Sequence, residues 1–135
     1  MPAPVTPPIR QILIVDDEPH IGMLLRLQLE QRGYSLRLAK NLAEARAALT
    51  TPPFPDALLL DLHLPDGSGV DLLRELRQAP ATRALPIMVL TAEGEERVLD
   101  EARGLGASLV TKPFSPTKLT AQIQSLLGEA PAEER

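Results

Sequence analysis

Apolar residues fall in two alternating patterns along the chain: short unbroken runs, and stretches in which they recur every three or four positions. The runs Ile12 to Val15, Ala57 to Leu60 and Ile87 to Leu90 have the length of strands buried on both faces of a parallel sheet. Between them lie helical stripes. A first strand over Ile9 to Val15 leads to a helix that opens at Pro19, with Ile21, Leu24, Leu25 and Leu29 on one face, and stops at Gly33. Ser35 to Ala39 alternates Leu36 and Leu38 with polar neighbours as a short second strand. Asn41 then caps a helix with Glu44 three residues on, and Leu42, Ala45 and Leu49 form its stripe. Pro52, Pro53 and Pro55 break the chain before the third strand, which ends at Asp61. Val70, Leu73 and Leu76 mark the next helix. A fourth strand over Ile87 to Leu90 ends at Thr91, and Val98, Ala102 and Leu105 face inward on a helix closed by Gly104 or Gly106. Leu109 to Thr111 is the fifth strand. Ser115 and Pro116 open a last helix whose stripe is Leu119, Ile123, Leu126 and Leu127.

Five strands alternating with five helices through short connections predict an α/β fold: a parallel sheet covered on both faces through right-handed crossovers. In such a sheet every strand ends along one edge. Asp16, Asp17, Asp61, Thr91 and Lys112 therefore meet there, at the edge where open α/β sheets bind ligands. The domain spans residues 9–128. Pro2, Pro4, Pro7 and Pro8 make residues 1–8 an extended leader that a partner groove can read, although a solvated tail is the simpler reading. Residues 129–135 form a flexible tail.

Composition narrows the function. At 135 residues the chain is one domain with a real core, built of Leu, Ile, Val and Ala because Tyr34, Phe54 and Phe114 are its only aromatics. There is little to stack on a flat cofactor or a base. Fourteen Lys plus Arg against 18 Asp plus Glu give a net charge of −4 with no basic run, which argues against direct nucleic-acid binding. The absence of cysteine removes disulfides and thiolate metal sites, and no 18-residue apolar stretch exists to insert in a membrane. A soluble, cytoplasmic protein is expected.

Three carboxylates at one sheet edge repel one another by roughly 4 kcal/mol per close pair at an effective dielectric near 20. Lys112 offers one positive charge, and a hard divalent ion with oxygen ligands, Mg²⁺ (or Mn²⁺), supplies the rest. His20 and His63 lie in different segments, so zinc is improbable. A carboxylate beside such an ion and a lysine suits phosphoryl transfer to the carboxylate itself, with Asp61 as nucleophile and the Thr91 hydroxyl donating to the phosphoryl group. Taken singly, each residue has a plainer role. Asp16 and Asp17 can cap a helix, Asp61 can open a turn, Thr91 can be a turn hydroxyl and Lys112 a solvated strand end.

From Ile9 to about Leu127 the sequence resembles the receiver (CheY-like) domain of two-component response regulators. The resemblance rests on Ile-Leu-Ile-Val-Asp-Asp-Glu-Pro at Ile12 to Pro19 and Leu-Leu-Asp-Leu-His-Leu-Pro-Asp-Gly at Leu59 to Gly67. It is completed by Thr91-Ala92 and Lys112-Pro113-Phe114. It implies a flavodoxin-like three-layer sandwich with strand order 2-1-3-4-5. It further implies that Asp61 is phosphorylated by a histidine kinase or histidine phosphotransfer protein. Asp17, Asp61 and the His63 backbone carbonyl would ligate Mg²⁺, with Asp16 acting through water. Thr91 and Lys112 would bind phosphoryl oxygens, and Pro113 would follow a cis bond that aims the lysine. Phosphorylation would then repack the surface of the fourth helix, fifth strand and fifth helix. Two departures stand out. Leu109 occupies a position that is usually Tyr or Phe and turns with the threonine, and Ala107 and Ser108 replace the paired acids of the transcription-factor branch.

The resulting expectation is a stand-alone receiver that catalyses only its own phosphorylation and dephosphorylation and signals by binding a downstream protein. A phosphorelay carrier or phosphate sink is the alternative. His63 and Glu93, two residues beyond Asp61 and Thr91, border the site mouth and are expected to tune acyl-phosphate lifetime. A metal-dependent phosphatase fits less well, because His63 stands where a second acid is needed and the chain is short for a substrate-selecting cap. A flavin carrier is disfavoured by the acidic first loop and scarce aromatics.

Overall fold

A computed structural model of the chain describes residues 10–91, 96–111 and 115–128, apart from the side chains of Pro19, Ile21 and Pro116. The elements run β1 (Gln11–Val15), α1 (Pro19–Gln31), β2 (Ser35–Ala39), α2 (Leu42–Leu49), β3 (Ala57–Asp61), β4 (His63–Leu64), β5 (Gly67–Ser68), α3 (Gly69–Gln78), β6 (Ile87–Thr91), α4 (Glu96–Gly104), β7 (Ser108–Thr111) and α5 (Pro116–Leu126). Five of the strands form one sheet in the order β2-β1-β3-β6-β7, every neighbouring pair parallel. Counted along the sheet strands alone, this is the order 2-1-3-4-5 that the resemblance implies.

Side chains alternate across a strand, so each unbroken apolar run feeds two cores. Leu13, Val15, Leu58, Leu60 and Val89 face α2, α3 and α4 with Leu72, Leu73 and Ala102. Ile12, Ile14, Leu59 and Leu90 face the other way, against Leu25 and Leu29 of α1 and Leu119 and Ile123 of α5. Each of these fully buried Leu or Ile side chains contributes about 1.5–3 kcal/mol relative to exposure. The two layers hold the strand ends in fixed register, Asp61 opposite Leu90 and Thr91 opposite Thr111.

Paired Schellman bonds at a glycine close α1 and α4. Gly33 (φ 93°) donates to the Glu30 carbonyl while Tyr34 donates to Leu29, the paired bonds of a Schellman ending of α1. Gly106 (φ 82°) and Ala107 repeat the motif on Arg103 and Ala102, so Gly106 supplies the cap just after α4, whose last residue is Gly104.

Three details differ from the sequence pattern. The first strand begins at Gln11, because Arg10 lies before the ladder and Ile9 is outside the described residues. Leu24 is 51% exposed. Successive helical residues are 100° apart, and α1 packs along Gly22, Leu25 and Leu29, which turns Leu24 outward. A Cβ at Gly22 would meet the Leu38 methyls at 2.9 and 3.1 Å, so α1 sits close over β2 on that side. The turn after β3 also folds into a small antiparallel hairpin, His63 against Ser68 and Leu64 against Gly67.

Candidate functional site

At the edge where the sheet strands end, β1 passes directly into Asp16, whose backbone N–H extends the ladder to the Ala39 carbonyl at 3.0 Å. Its Oδ1 accepts the Glu18 N–H at 2.9 Å, so the carboxylate folds back over the loop that starts α1. Asp61, the last residue of β3, is held in the same manner, its Oδ1 accepting the His63 N–H at 3.0 Å. Asp16 and Asp61 are only 7% and 6% exposed, while Asp17 beside them is open to solvent. Carboxylate oxygens of Asp16, Asp17 and Asp61 all lie within 4.8 Å of one another.

At that spacing each pair of ionised carboxylates repels by about 3–4 kcal/mol at an effective dielectric near 20. An all-oxygen donor set with two members in the protein and one at its surface fits a hard divalent cation that retains part of its water shell. Thr91, at the end of β6, adds a second polar group. It is 2% exposed, and among the described residues its Oγ1 is a buried side-chain atom without a hydrogen-bond partner. A buried hydroxyl left unpaired costs about 1–3 kcal/mol, so an incoming acceptor at this edge can recover a bond that no described residue makes.

The structure thus brings Asp16, Asp17, Asp61 and Thr91 to one edge and leaves His63 exposed on the hairpin beside Asp61. Leu109 is half-buried in β7, opposite Val89 and against the α2–α4 side of the core. Lys112, Pro113 and Glu93 lie outside the described residues.

Two further residues shape this edge. Gly69 opens α3 with its N–H on the Leu62 carbonyl at 2.9 Å. A Cβ there would collide with the Asp61 carbonyl oxygen and reach the Leu62 Cα at 3.0 Å, so only glycine lets α3 start this close to the strand end. Asp66, in the hairpin turn, accepts the N–H groups of Leu42 and Ala43 at 2.8 and 3.1 Å and so caps α2 from across the edge. These bonds, the one from Leu42 foremost, hold its carboxyl below the usual Asp range. In the sequence both residues read only as turn formers. The Pro-Asp-Gly-Ser-Gly spacing marks a tight turn but not what the turn touches.

The family pattern of response regulator receiver domains matches residues 12–124, and the chain belongs to that family of two-component signalling modules. Among curated proteins it is 41% identical over 121 residues to the phosphate regulon transcriptional regulatory protein PhoB of Escherichia coli K12, covering 87% of this chain and 52% of that protein. The transcriptional regulatory protein ResD of Bacillus subtilis is 38% identical over 123 residues, 89% of this chain and 49% of that one. The chain therefore spans about half the length of these relatives. A putative response regulator from Chloroflexus aurantiacus superposes with a TM-score of 0.81 at 34% identity, covering 90% of this chain and all of that one (100%). A CheY-like receiver domain protein from Methanospirillum hungatei gives 0.82 at 26%, covering 90% and 95%. Among the described residues no helix is long and apolar enough to cross a membrane.

Proposed function

We propose that Asp61 accepts a phosphoryl group from the phosphohistidine of a histidine kinase or histidine phosphotransfer protein, and that the phosphorylated chain signals by binding a downstream protein. The observation that carries this reading is the clustering of a nearly buried Asp61 with Asp16 and Asp17 at the strand edge that also holds the unpaired Thr91 hydroxyl. An Asp61 carboxylate oxygen attacks phosphorus, the P–N bond breaks, and the imidazole leaves with its electron pair and takes a proton. Asp17, Asp61 and the His63 backbone carbonyl, with Asp16 acting through water, would hold Mg²⁺ or Mn²⁺, which would neutralise the converging negative charge of carboxylates and phosphoryl oxygens. The Thr91 hydroxyl donates to a phosphoryl oxygen and Lys112 supplies a fixed positive charge. His63, at the mouth, limits the access of hydrolytic water, with Glu93 in the same role.

An apolar stripe on α1 supports protein binding. Met23, Leu24 and Leu27 are all exposed on the helix that begins one residue after Glu18, beside the acidic edge. A partner delivering or reading the phosphoryl group can bury that stripe as it reaches Asp61. The carrier or sink reading has one observation in its favour. Leu109 is already half-buried and lacks the ring that would couple Thr91 to the surface of β7.

Intact mass after acetyl phosphate treatment tests the chemistry. One phosphoryl adduct is expected in Mg²⁺, none in EDTA and none on Asp61→Asn, with faster decay of the adduct on His63→Ala. An adduct that persists on Asp61→Asn removes Asp61 from the role, and an unchanged decay rate removes His63 from its own. Phosphorylation that changes affinity for a bound partner favours the switch, whereas transfer to a histidine phosphotransfer protein without such a change favours the carrier.

A further inference from the structure

At the edge of the sheet opposite the carboxylates lies a cleft of about 320 Å³ whose lining includes Leu49, Phe54, Pro55, Ala81, Thr82 and Leu85. Phe54 is 58% exposed there. The lining side chains are apolar apart from the Thr82 hydroxyl, which donates to the Leu76 carbonyl at 2.7 Å. An exposed aromatic on a cleft without charge is the kind of surface that receives proline-rich extended chain.

The first residues of this chain have that composition, and the strand that follows them is tied to Asp56, next to Pro55 of the cleft wall. Met1 to Ile9 reads Met-Pro-Ala-Pro-Val-Thr-Pro-Pro-Ile, with four prolines, a Pro-x-x-Pro spacing from Pro4 to Pro7 and no charged side chain. The Arg10 carbonyl accepts the Ser35 N–H at 2.9 Å, which fixes where this segment leaves the sheet. Gln11 is tied to Asp56 in both directions, its N–H to Oδ2 at 2.7 Å and its carbonyl to the Asp56 N–H at 2.7 Å. Asp56 is two residues from Phe54 and adjoins Pro55 of the cleft wall. Polyproline II chain advances about 3.1 Å per residue, so eight residues reach roughly 25 Å, ample for a site that begins this near the exit.

We propose that the proline-rich leader, Met1 to Pro8, docks as an extended segment in the Phe54 cleft of its own chain. Proline supplies the fit in two ways. Its rings offer flat apolar faces to the Phe54 ring, and its fixed φ lowers the ordering entropy that a flexible leader would lose on docking. The cleft lies at the far edge from Asp61, so the interaction is independent of phosphoryl chemistry.

The chain has no cysteine, so a nitroxide placed at Ala3→Cys marks the leader alone. In an ¹⁵N-labelled sample the Leu49, Phe54, Ala81, Ala84 and Leu85 amides are expected to lose more than half their intensity relative to the reduced tag. Amides of Asp16, Asp17 and Thr91 keep theirs. Phe54→Ser, at an exposed position, abolishes the selective loss while the amide spectrum stays dispersed, and Phe54→Tyr retains it. Uniform or absent broadening overturns the proposal, as does selective broadening that survives Phe54→Ser. The same broadening in a mixture of labelled untagged chain with unlabelled tagged chain also overturns it, and assigns the cleft to the leader of a second copy.

Discussion

The two edges of the sheet face opposite electrostatic problems and solve them differently. Where the strands end, helices begin, and their first N–H groups make the edge favourable to anions. Side chains answer there with amide, carboxylate and hydroxyl oxygens: Asn41 Oδ1 takes the Glu44 N–H at 2.8 Å, Asp66 takes those of Leu42 and Ala43, and Ser68 and Ser115 cap α3 and α5. At the other edge helices end in outward carbonyls, and arginines answer. Arg37 donates to the carbonyls of Ala48, Thr51 and Pro53 at 3.0–3.2 Å. Arg77 donates to Leu105, Leu85 and Arg83 at 2.6, 2.7 and 3.1 Å. The arginine edge satisfies its own groups. The carboxylate edge gathers three acidic side chains and, among the described residues, leaves the Thr91 hydroxyl without a partner.

Removing Arg77 breaks that contrast most severely. Its guanidinium joins the end of α3 to the loops before β6 and β7, and partial burial lowers its pKa from the usual value. Hydrogen bonds to charged groups contribute about 1.5–3 kcal/mol, and carbonyls left half-buried add to the loss. Arg77→Ala is expected to cost about 3 kcal/mol in urea unfolding. Arg77→Lys should recover less than half of that, because a single ammonium cannot span carbonyls that a planar fork reaches together. Equal stability of the Lys variant and the wild type would mean that charge alone suffices at that edge.

Neutralising the opposite edge has the opposite sign. Asp61→Asn keeps an oxygen to accept the His63 N–H and removes one of three mutually repelling charges. In EDTA the variant is expected to be more stable than the wild type by about 1 kcal/mol, the Coulombic cost discounted for the solvent that reaches Asp17. Added Mg²⁺ then raises the wild-type midpoint more than the variant's, since a ligand stabilises the state that binds it better. A variant less stable than the wild type in EDTA would show that this edge is not strained by its charge.

How legible these edges were in the sequence follows from the range of the interactions. The strand runs Ile12–Val15, Ala57–Leu60 and Ile87–Leu90 reveal themselves through local pattern, and parallel connectivity alone then gathers Asp16, Asp17, Asp61 and Thr91. The arginine edge was not legible, because Arg77 meets its carbonyls across 6 to 29 residues of chain and no spacing announces them. The same holds for Asp66, which caps a helix 24 residues earlier, and for Gly69, whose missing Cβ matters only because Asp61 stands against it. Leu24 misled for a different reason. Periodicity permits it on the buried face, but the contact of Gly22 with Leu38 sets the helix rotation and turns it to solvent.

The smallest expected effect lies where the carboxylate edge is already satisfied, at Asp66. Its carboxyl is held low chiefly by the Leu42 N–H, with the Ala43 N–H and the Arg46 guanidinium acting in the same direction. A depressed carboxyl contributes stability that is present above the unfolded-state pKa of about 3.9 and disappears as pH falls through the lower folded value. Asp66→Asn retains one acceptor for the α2 N-terminus and removes this titration. The difference in urea midpoint between wild type and variant is therefore expected to be constant from neutral pH down to about 4 and to shrink below it. Glu75 and Glu101, held low by Arg46 and Arg74, titrate alike in both chains and cancel from the comparison except where the removed Asp66 charge acts on Arg46. A difference that stays constant down to pH 2 would mean that the Asn variant loses only hydrogen-bond geometry, and that the charge of Asp66 does nothing for the end of α2 that it caps.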